Sequence, residues 1–163
     1  MTMTGFPLLP ICRCIWWTTR KASWVGSTDC ISHPVVPIFT DDDSYCGLLR
    51  SHLGSGAVVL NPLVPGGTLA AALPGWPALL AARPQTVVLA FGMNDHLAGA
   101  AGLPAFEAGL AGAVAQAQAA GARVILVGFM RQNTAWRLED PVQTEAYNDA
   151  IARVANTRGV AFL

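Results

Sequence analysis

The run Thr86 to Phe91, T-V-V-L-A-F, constrains this chain most. A strand with one wet face alternates apolar and polar residues. This run does not alternate, and it has the length of a strand buried on both faces, as in the interior of a parallel sheet. The run stops at Gly92, and Asn94 and Asp95 follow at once. Glycine permits a tight exit from a strand, and Asn and Asp side chains hydrogen-bond loop backbone or ligand. In parallel α/β sheets, ligands bind beyond the carboxyl ends of the strands. Gly92-Met93-Asn94-Asp95 occupies that place.

The elements around it suit such a sheet. Ala22 to Gly26 and Gly56 to Asn61 read as strands, and Ser44 is placed to cap a helix over Tyr45 to Leu53 that Gly54 ends. In that helix Tyr45, Leu48, Leu49 and His52 recur at helical spacing. A Pro/Gly loop over Pro62 to Thr68 leads to short helical pieces from Leu69 and from Pro77 to Ala82. Leu103 to Ala120 reads as a helix with Phe106, Leu110, Val114 and Ala117 on one face, ended by Gly121. Arg123 to Phe129 is a further strand. Asp140-Pro141 opens the last helix, whose stripe is Tyr147, Ile151 and Val154 and whose end is Gly159. Val160 to Leu163 is the last strand, and it leaves an apolar edge with nothing after it to cover it. Strands alternating with helices predict one α/β domain with a mainly parallel sheet between helical layers. It runs over 22–163 behind an irregular leader, 1–21, on which no structure is forced.

Composition removes several function classes. With 163 residues, 53% hydrophobic and 12% charged, the chain is long and apolar enough for one well-buried core and is not disordered. A formal net charge of zero gives no electrostatic case for nucleic acid. The four cysteines, Cys12, Cys14, Cys30 and Cys46, form no C-x-x-C pair, and His33, His52 and His96 lack metal-ligand spacing, so no metal site is read from them. Asp41-Asp42-Asp43 reads as a solvated loop. No apolar run of membrane-spanning length stands out. No signal-peptide pattern opens the chain, which favours a cytoplasmic location. Oligomeric state is left open.

Three motifs resemble the signature blocks of the SGNH (GDSL-type) esterases and lipases. Gly92-Met93-Asn94-Asp95 matches that family's third block, G-x-N-D. Asn61, Gly66 and Thr68 match its second, N-x-G-x-x-G-x-T, with Leu63 in place of the first Gly. Thr28-Asp29-Cys30-Ile31-Ser32 lies where the first block, G-D-S-[LI]-[ST], belongs. There Asp29, Ile31 and Ser32 match, Thr28 replaces Gly, and Cys30 replaces the nucleophilic Ser. Another register, Gly26-Ser27-Thr28, makes Thr28 the nucleophile but matches less.

The resemblance implies a three-layer α/β/α fold (flavodoxin-like, SGNH-hydrolase type) and hydrolysis of a small acyl-ester or thioester substrate through an acyl-enzyme, with no metal or organic cofactor. Cys30 is then the nucleophile or its remnant, with its backbone N–H, Gly66 and Asn94 as oxyanion donors. Cysteine is chemically apt there, since a thiolate is more nucleophilic than a hydroxyl. The family's base comes from a C-terminal D-x-x-H block, and no D-x-x-H occurs in this sequence. That absence predicts a C-terminally truncated domain. His33, three residues after Cys30, and His96, two past Asn94, are the candidates for a replacement base, although each reads first as a loop or surface residue. The alternatives are a fragment of a longer esterase, a non-catalytic SGNH-like binding domain, and an unrelated flavodoxin-like module. No other nucleotide, hydrolase-elbow or zinc-protease template fits.

Overall fold

The computed structural model describes residues 14–18, 45–54, 56, 58–59, 67–129 and 141–163. The predicted strand Ala22–Gly26, the Ser44 cap, Asp29, Cys30, His33 and Gly66 lie outside them.

The described elements are β1 (Cys14–Thr18), α1 (Tyr45–Leu53), α2 (Leu69–Ala72), a 3-10 turn (Leu73–Gly75), α3 (Trp76–Ala81), β2 (Thr86–Ala90), a second 3-10 turn (Asp95–Ala98), α4 (Gly99–Ala119), β3 (Arg123–Leu126), α5 (Pro141–Arg158) and β4 (Ala161–Phe162). The sheet order is β1-β2-β3-β4. The β2–β3 and β3–β4 pairs are parallel, with Thr86 opposite Arg123 and Ile125 opposite Ala161. β1 runs antiparallel along β2, with Cys14 opposite Ala90. The mainly parallel sheet of the sequence reading is therefore present.

The buried run behaves as its composition dictates. Thr86, Val87, Val88 and Leu89 are consecutively buried, so both faces of β2 are covered. One face meets Leu110, Val114 and Ala117 of α4 and Tyr147, Ile151 and Val154 of α5 in a single cluster with Leu126 of β3. Burying a Val or Leu side chain contributes roughly 1.5–3 kcal/mol, so this cluster is the main source of stability. α4 and α5 are also joined across their exposed sides, where Arg153 donates to Glu107 at 3.1 and 2.7 Å. That pairing holds the Glu107 carboxyl below the ordinary value and raises the Arg153 guanidinium.

Some sequence expectations need correction. Of the strand expected over Gly56 to Asn61, the described residues are Gly56, which stands in a turn, and Val58 and Val59, which are not in a strand. The 1–21 leader contains β1, a strand the sequence reading did not assign. α4 starts at Gly99 rather than Leu103, with Pro104 inside it. There proline lies beyond the first turn, gives up the bond to the Ala100 carbonyl and crowds it. β3 and β4 are shorter than their apolar runs. Leu48, on the expected apolar stripe of α1, is exposed.

α4 also bears on the membrane question. Asp95–Ala119 spans 25 residues, contains an 18-residue window of mean hydropathy 1.4 and, by length and composition alone, is apolar enough to cross a membrane. That apolarity is carried by Ala around the helix and by a few large side chains, of which Phe106, Leu110 and Val114 lie in the core. β4 pairs with β3 alone among the described residues, and Phe162 and Leu163 are exposed at that edge.

Candidate active site

The site is built where β2 ends. Gly92 has φ +118°, and a Cβ there would stand 2.9 Å from Phe129 Cδ1, so only glycine makes this exit. The chain turns back at once: the His96 N–H donates to the Gly92 carbonyl at 2.8 Å, and the Leu97 N–H to the Asn94 carbonyl at 3.2 Å. The turn presents Asn94 and Asp95 to the loop that precedes α2.

Asp95 stitches the two loops together. Its Oδ1 accepts from the Leu69 N–H at 2.8 Å and its Oδ2 from the Gly92 N–H at 3.0 Å. The carboxylate is buried, which backbone donors at both oxygens make tolerable. Beside it, Asn94 Nδ2 donates to the Gly67 carbonyl at 3.0 Å. A side-chain amide carries two N–H donors, so this bond fixes the orientation of Asn94 while using one. Thr68 completes the junction by capping α2, its Oγ1 accepting from the Ala71 N–H at 3.2 Å. The second and third motifs of the sequence, separated by more than twenty residues, therefore meet at Gly67–Leu69 and Gly92–Asp95.

A cavity of about 290 Å³ opens beside this junction, between α2 and the first half of α4. Asn94, Asp95 and Thr68 line it together with Leu69, Leu73, Phe106 and Tyr147. Tyr147 is fully buried, donates from its hydroxyl to the Gly99 carbonyl at 3.0 Å, and packs on Phe106 with ring centroids 5.0 Å apart. Burial pushes its phenol above the ordinary value, and the nearby Asp95 carboxylate pushes it further.

Of the predicted site residues, the structure describes Asn94; Cys30 and Gly66 are outside the described set, although Gly67, next to Gly66, holds Asn94. His96 is not the surface histidine the sequence suggested. It is 4% exposed, both ring nitrogens lack a hydrogen-bond partner among the described residues, and the ring stacks on Phe129 at 6.0 Å. It is not among the residues lining the cavity. Sequence reasoning missed two residues. Asp95 was visible as the last letter of G-M-N-D, but its double clasp depends on a partner loop 26 residues away. Tyr147 was read as part of an apolar stripe, and nothing in that spacing signals where its hydroxyl goes.

Comparison with known proteins gives the following. The sequence model of the GDSL-like Lipase/Acylhydrolase family matches residues 25–163. No curated protein matches the chain. Among solved structures, TesA is 29% identical with a TM-score of 0.66, covering 82% of this chain and 73% of its own. The psychrotrophic esterase EstA from Pseudoalteromonas sp. is 21% identical with a TM-score of 0.64, covering 78% of this chain and 69% of its own. AlinE4, an SGNH-hydrolase family esterase, is 22% identical with a TM-score of 0.63, covering 77% of this chain and 67% of its own. The fold is shared with these enzymes and is the three-layer α/β/α arrangement expected from the sequence.

Proposed function

The chain belongs to the GDSL-like lipase/acylhydrolase family, and from that membership we propose that it hydrolyses a carboxylic ester or thioester through an acyl-enzyme formed on Cys30. The observation that carries the reading is the 3.0 Å bond from Asn94 Nδ2 to the Gly67 carbonyl. It brings the Asn of one family block against the loop that holds Gly66. A fixed amide with one N–H still to give suits an oxyanion donor, because donors preorganised toward developing charge supply much of the rate in acyl transfer.

In this reading the Cys30 thiolate attacks the ester carbonyl carbon. The negative charge that develops on the carbonyl oxygen is met by the remaining Asn94 N–H and the backbone N–H groups of Gly66 and Cys30. The carbon–oxygen (or carbon–sulfur) bond breaks, and the thiol's proton leaves with the alcohol or thiol product. Water then cleaves the acyl-thioester, releasing the acid and regenerating the thiol. The proton relay needs a base, and the sequence has no D-x-x-H. The burial of His96 against Phe129 argues against it, so His33, three residues after Cys30, is the one to test. Cysteine standing where the family has its nucleophilic Ser favours a second reading, an acyl-binding domain that holds its ligand without turnover.

The test is multiple-turnover hydrolysis of a short-chain p-nitrophenyl ester by the chain and by Cys30→Ala and Cys30→Ser. Turnover that disappears in Cys30→Ala supports the proposal. Equal turnover in parent and Cys30→Ala refutes Cys30 as nucleophile. Folded protein without turnover in any of the three selects the binding reading.

A further inference from the structure

Resting on the ester-hydrolase reading, we infer that Asn148 of α5 is a positioning residue of the reaction: through Phe129 it holds the turn that carries Asn94. Backbone pairing follows the chain out of β3, where the Val127 N–H donates to the Leu89 carbonyl at 2.9 Å and the Gly128 N–H to the Leu163 carbonyl at 2.8 Å. The next residue, Phe129, is bound by a side chain. Its N–H donates to Asn148 Oδ1 at 3.0 Å, and Asn148 Nδ2 donates to its carbonyl at 2.9 Å. A primary amide offers an acceptor and a donor side by side, so one side chain satisfies both backbone groups of Phe129, as a paired strand residue would.

The clasp fixes more than backbone. The Phe129 ring stacks on His96 with centroids 6.0 Å apart. Its Cδ1 and the Cδ1 of Ile151 stand 2.9 and 3.2 Å from where a Cβ on Gly92 would be. Gly92 and His96 are the two ends of one turn, joined by the His96 N–H to the Gly92 carbonyl at 2.8 Å, and Asn94 lies between them. α5 also reaches the residue after this turn's 3-10 continuation, where the Tyr147 hydroxyl donates to the Gly99 carbonyl at 3.0 Å. Tyr147, Asn148 and Ile151, within about one turn of α5, therefore brace the segment 92–99 at both ends. The Gly67 carbonyl orients the Asn94 amide from the α2 side, and the Phe129 ring sets the turn from the β3 side. An oxyanion donor is sensitive to such placement, because a displacement of about 1 Å can cost roughly a hundredfold in rate.

Four variants separate positioning from stability. Asn148→Ala removes the clasp. Phe129→Leu keeps it, since both bonds are to backbone, but takes the ring away from Gly92 and His96. The third variant combines the two. Val154→Ala removes core packing from the same helix beyond Ile151 and is the stability control. kcat and KM are measured on p-nitrophenyl butyrate beside a urea midpoint, and the Asn94 side-chain amide is followed by NMR. Asn148→Asp, which keeps the acceptor and loses the donor, takes the place of Asn148→Ala if circular dichroism shows that variant unfolded.

The inference expects kcat to fall about tenfold or more in Asn148→Ala and in Phe129→Leu, with KM changed by less than about twofold. It expects the double variant to fall no further than the worse single one, because both act through one ring. Val154→Ala keeps the parent kcat despite a lower midpoint. The Asn94 amide signals move in the first three variants and stay in the last. Folded Asn148 and Phe129 variants with the parent kcat overturn the inference, as do losses that multiply in the double variant or an equal loss in Val154→Ala. If the parent turns over no ester, the hydrolase reading fails by itself, and the Asn94 signals decide. Moved by the Asn148 variant, they establish the brace; unmoved, they overturn it.

Discussion

Replacing Asp95 with alanine removes the acceptor of two buried backbone N–H groups at once, those of Leu69 at 2.8 Å and Gly92 at 3.0 Å. A hydrogen bond to a charged group contributes about 1.5–3 kcal/mol, and leaving a buried donor unpaired costs about 1–3 kcal/mol. The two bonds share one carboxylate, and water entering the space left by it offsets part of the loss. The expected destabilisation is about 3–5 kcal/mol, a large fraction of the roughly 5–15 kcal/mol that holds a domain folded. Asp95→Asn keeps one acceptor oxygen but turns an NH2 toward the other N–H, so about half to two-thirds of that loss is expected. Urea unfolding of the three proteins gives the magnitudes, and amide hydrogen exchange at Leu69 and Gly92 gives the location. Both amides are expected to lose protection in Asp95→Ala. A midpoint equivalent to less than about 1 kcal/mol of destabilisation, or unchanged protection at both amides, would refute the clasp.

Gly92→Ala forces a Cβ toward Phe129 at φ +118°, and backbone strain plus overpacking are expected to cost about 2–4 kcal/mol by urea unfolding. A Gly92→Ala protein as stable as the parent would mean that the strand exit is made differently. The Tyr147 phenol is raised in the folded state. Its contribution is therefore full below the ordinary value of 10.0 and is lost as pH rises from there through the folded value, because the unfolded chain ionises first. Melting temperatures of the parent are expected to fall more steeply than those of Tyr147→Phe above that pH, and parallel curves would contradict the assignment. Glu107 is lowered by Arg153, so the pair contributes above 4.5 and fades as pH falls through the folded value. Both partners are substantially exposed, so Glu107→Gln is expected to cost no more than about 1 kcal/mol near neutral pH and nothing in strong acid; a larger neutral-pH loss in urea would show the pair to be shielded from solvent.

Much of the scaffold was legible because it is written in local terms. The range Tyr45–Leu53 and the ends of α4 and α5 follow from helical spacing and from Gly54, Gly121 and Gly159, all of which have positive φ. β2 follows from an apolar run too continuous for a one-sided strand. Of the strand expected at Gly56–Asn61, the described Gly56, Val58 and Val59 are not in a strand, because strand formation depends on packing context and not on residue type alone. The site divides in the same way. G-M-N-D announced a strand-end loop and named Asn94. The contacts that give Asn94 its orientation and Asp95 its clasp come from Gly67 and Leu69, across distances in sequence that no local pattern spans. His96 shows the reverse error, since a polar residue beside a loop motif reads as exposed until Phe129 is seen to cover it.

The most direct test of the central claim is kcat and KM for a p-nitrophenyl ester in Asn94→Ala beside the parent. If Asn94 donates to the oxyanion, kcat falls by about a hundred- to a thousandfold with KM little changed, because the bond forms in the transition state. Because Asn94 also holds the Gly67 carbonyl, a urea midpoint is measured alongside to separate catalysis from folding. A folded Asn94→Ala protein that hydrolyses the ester as fast as the parent would contradict the account.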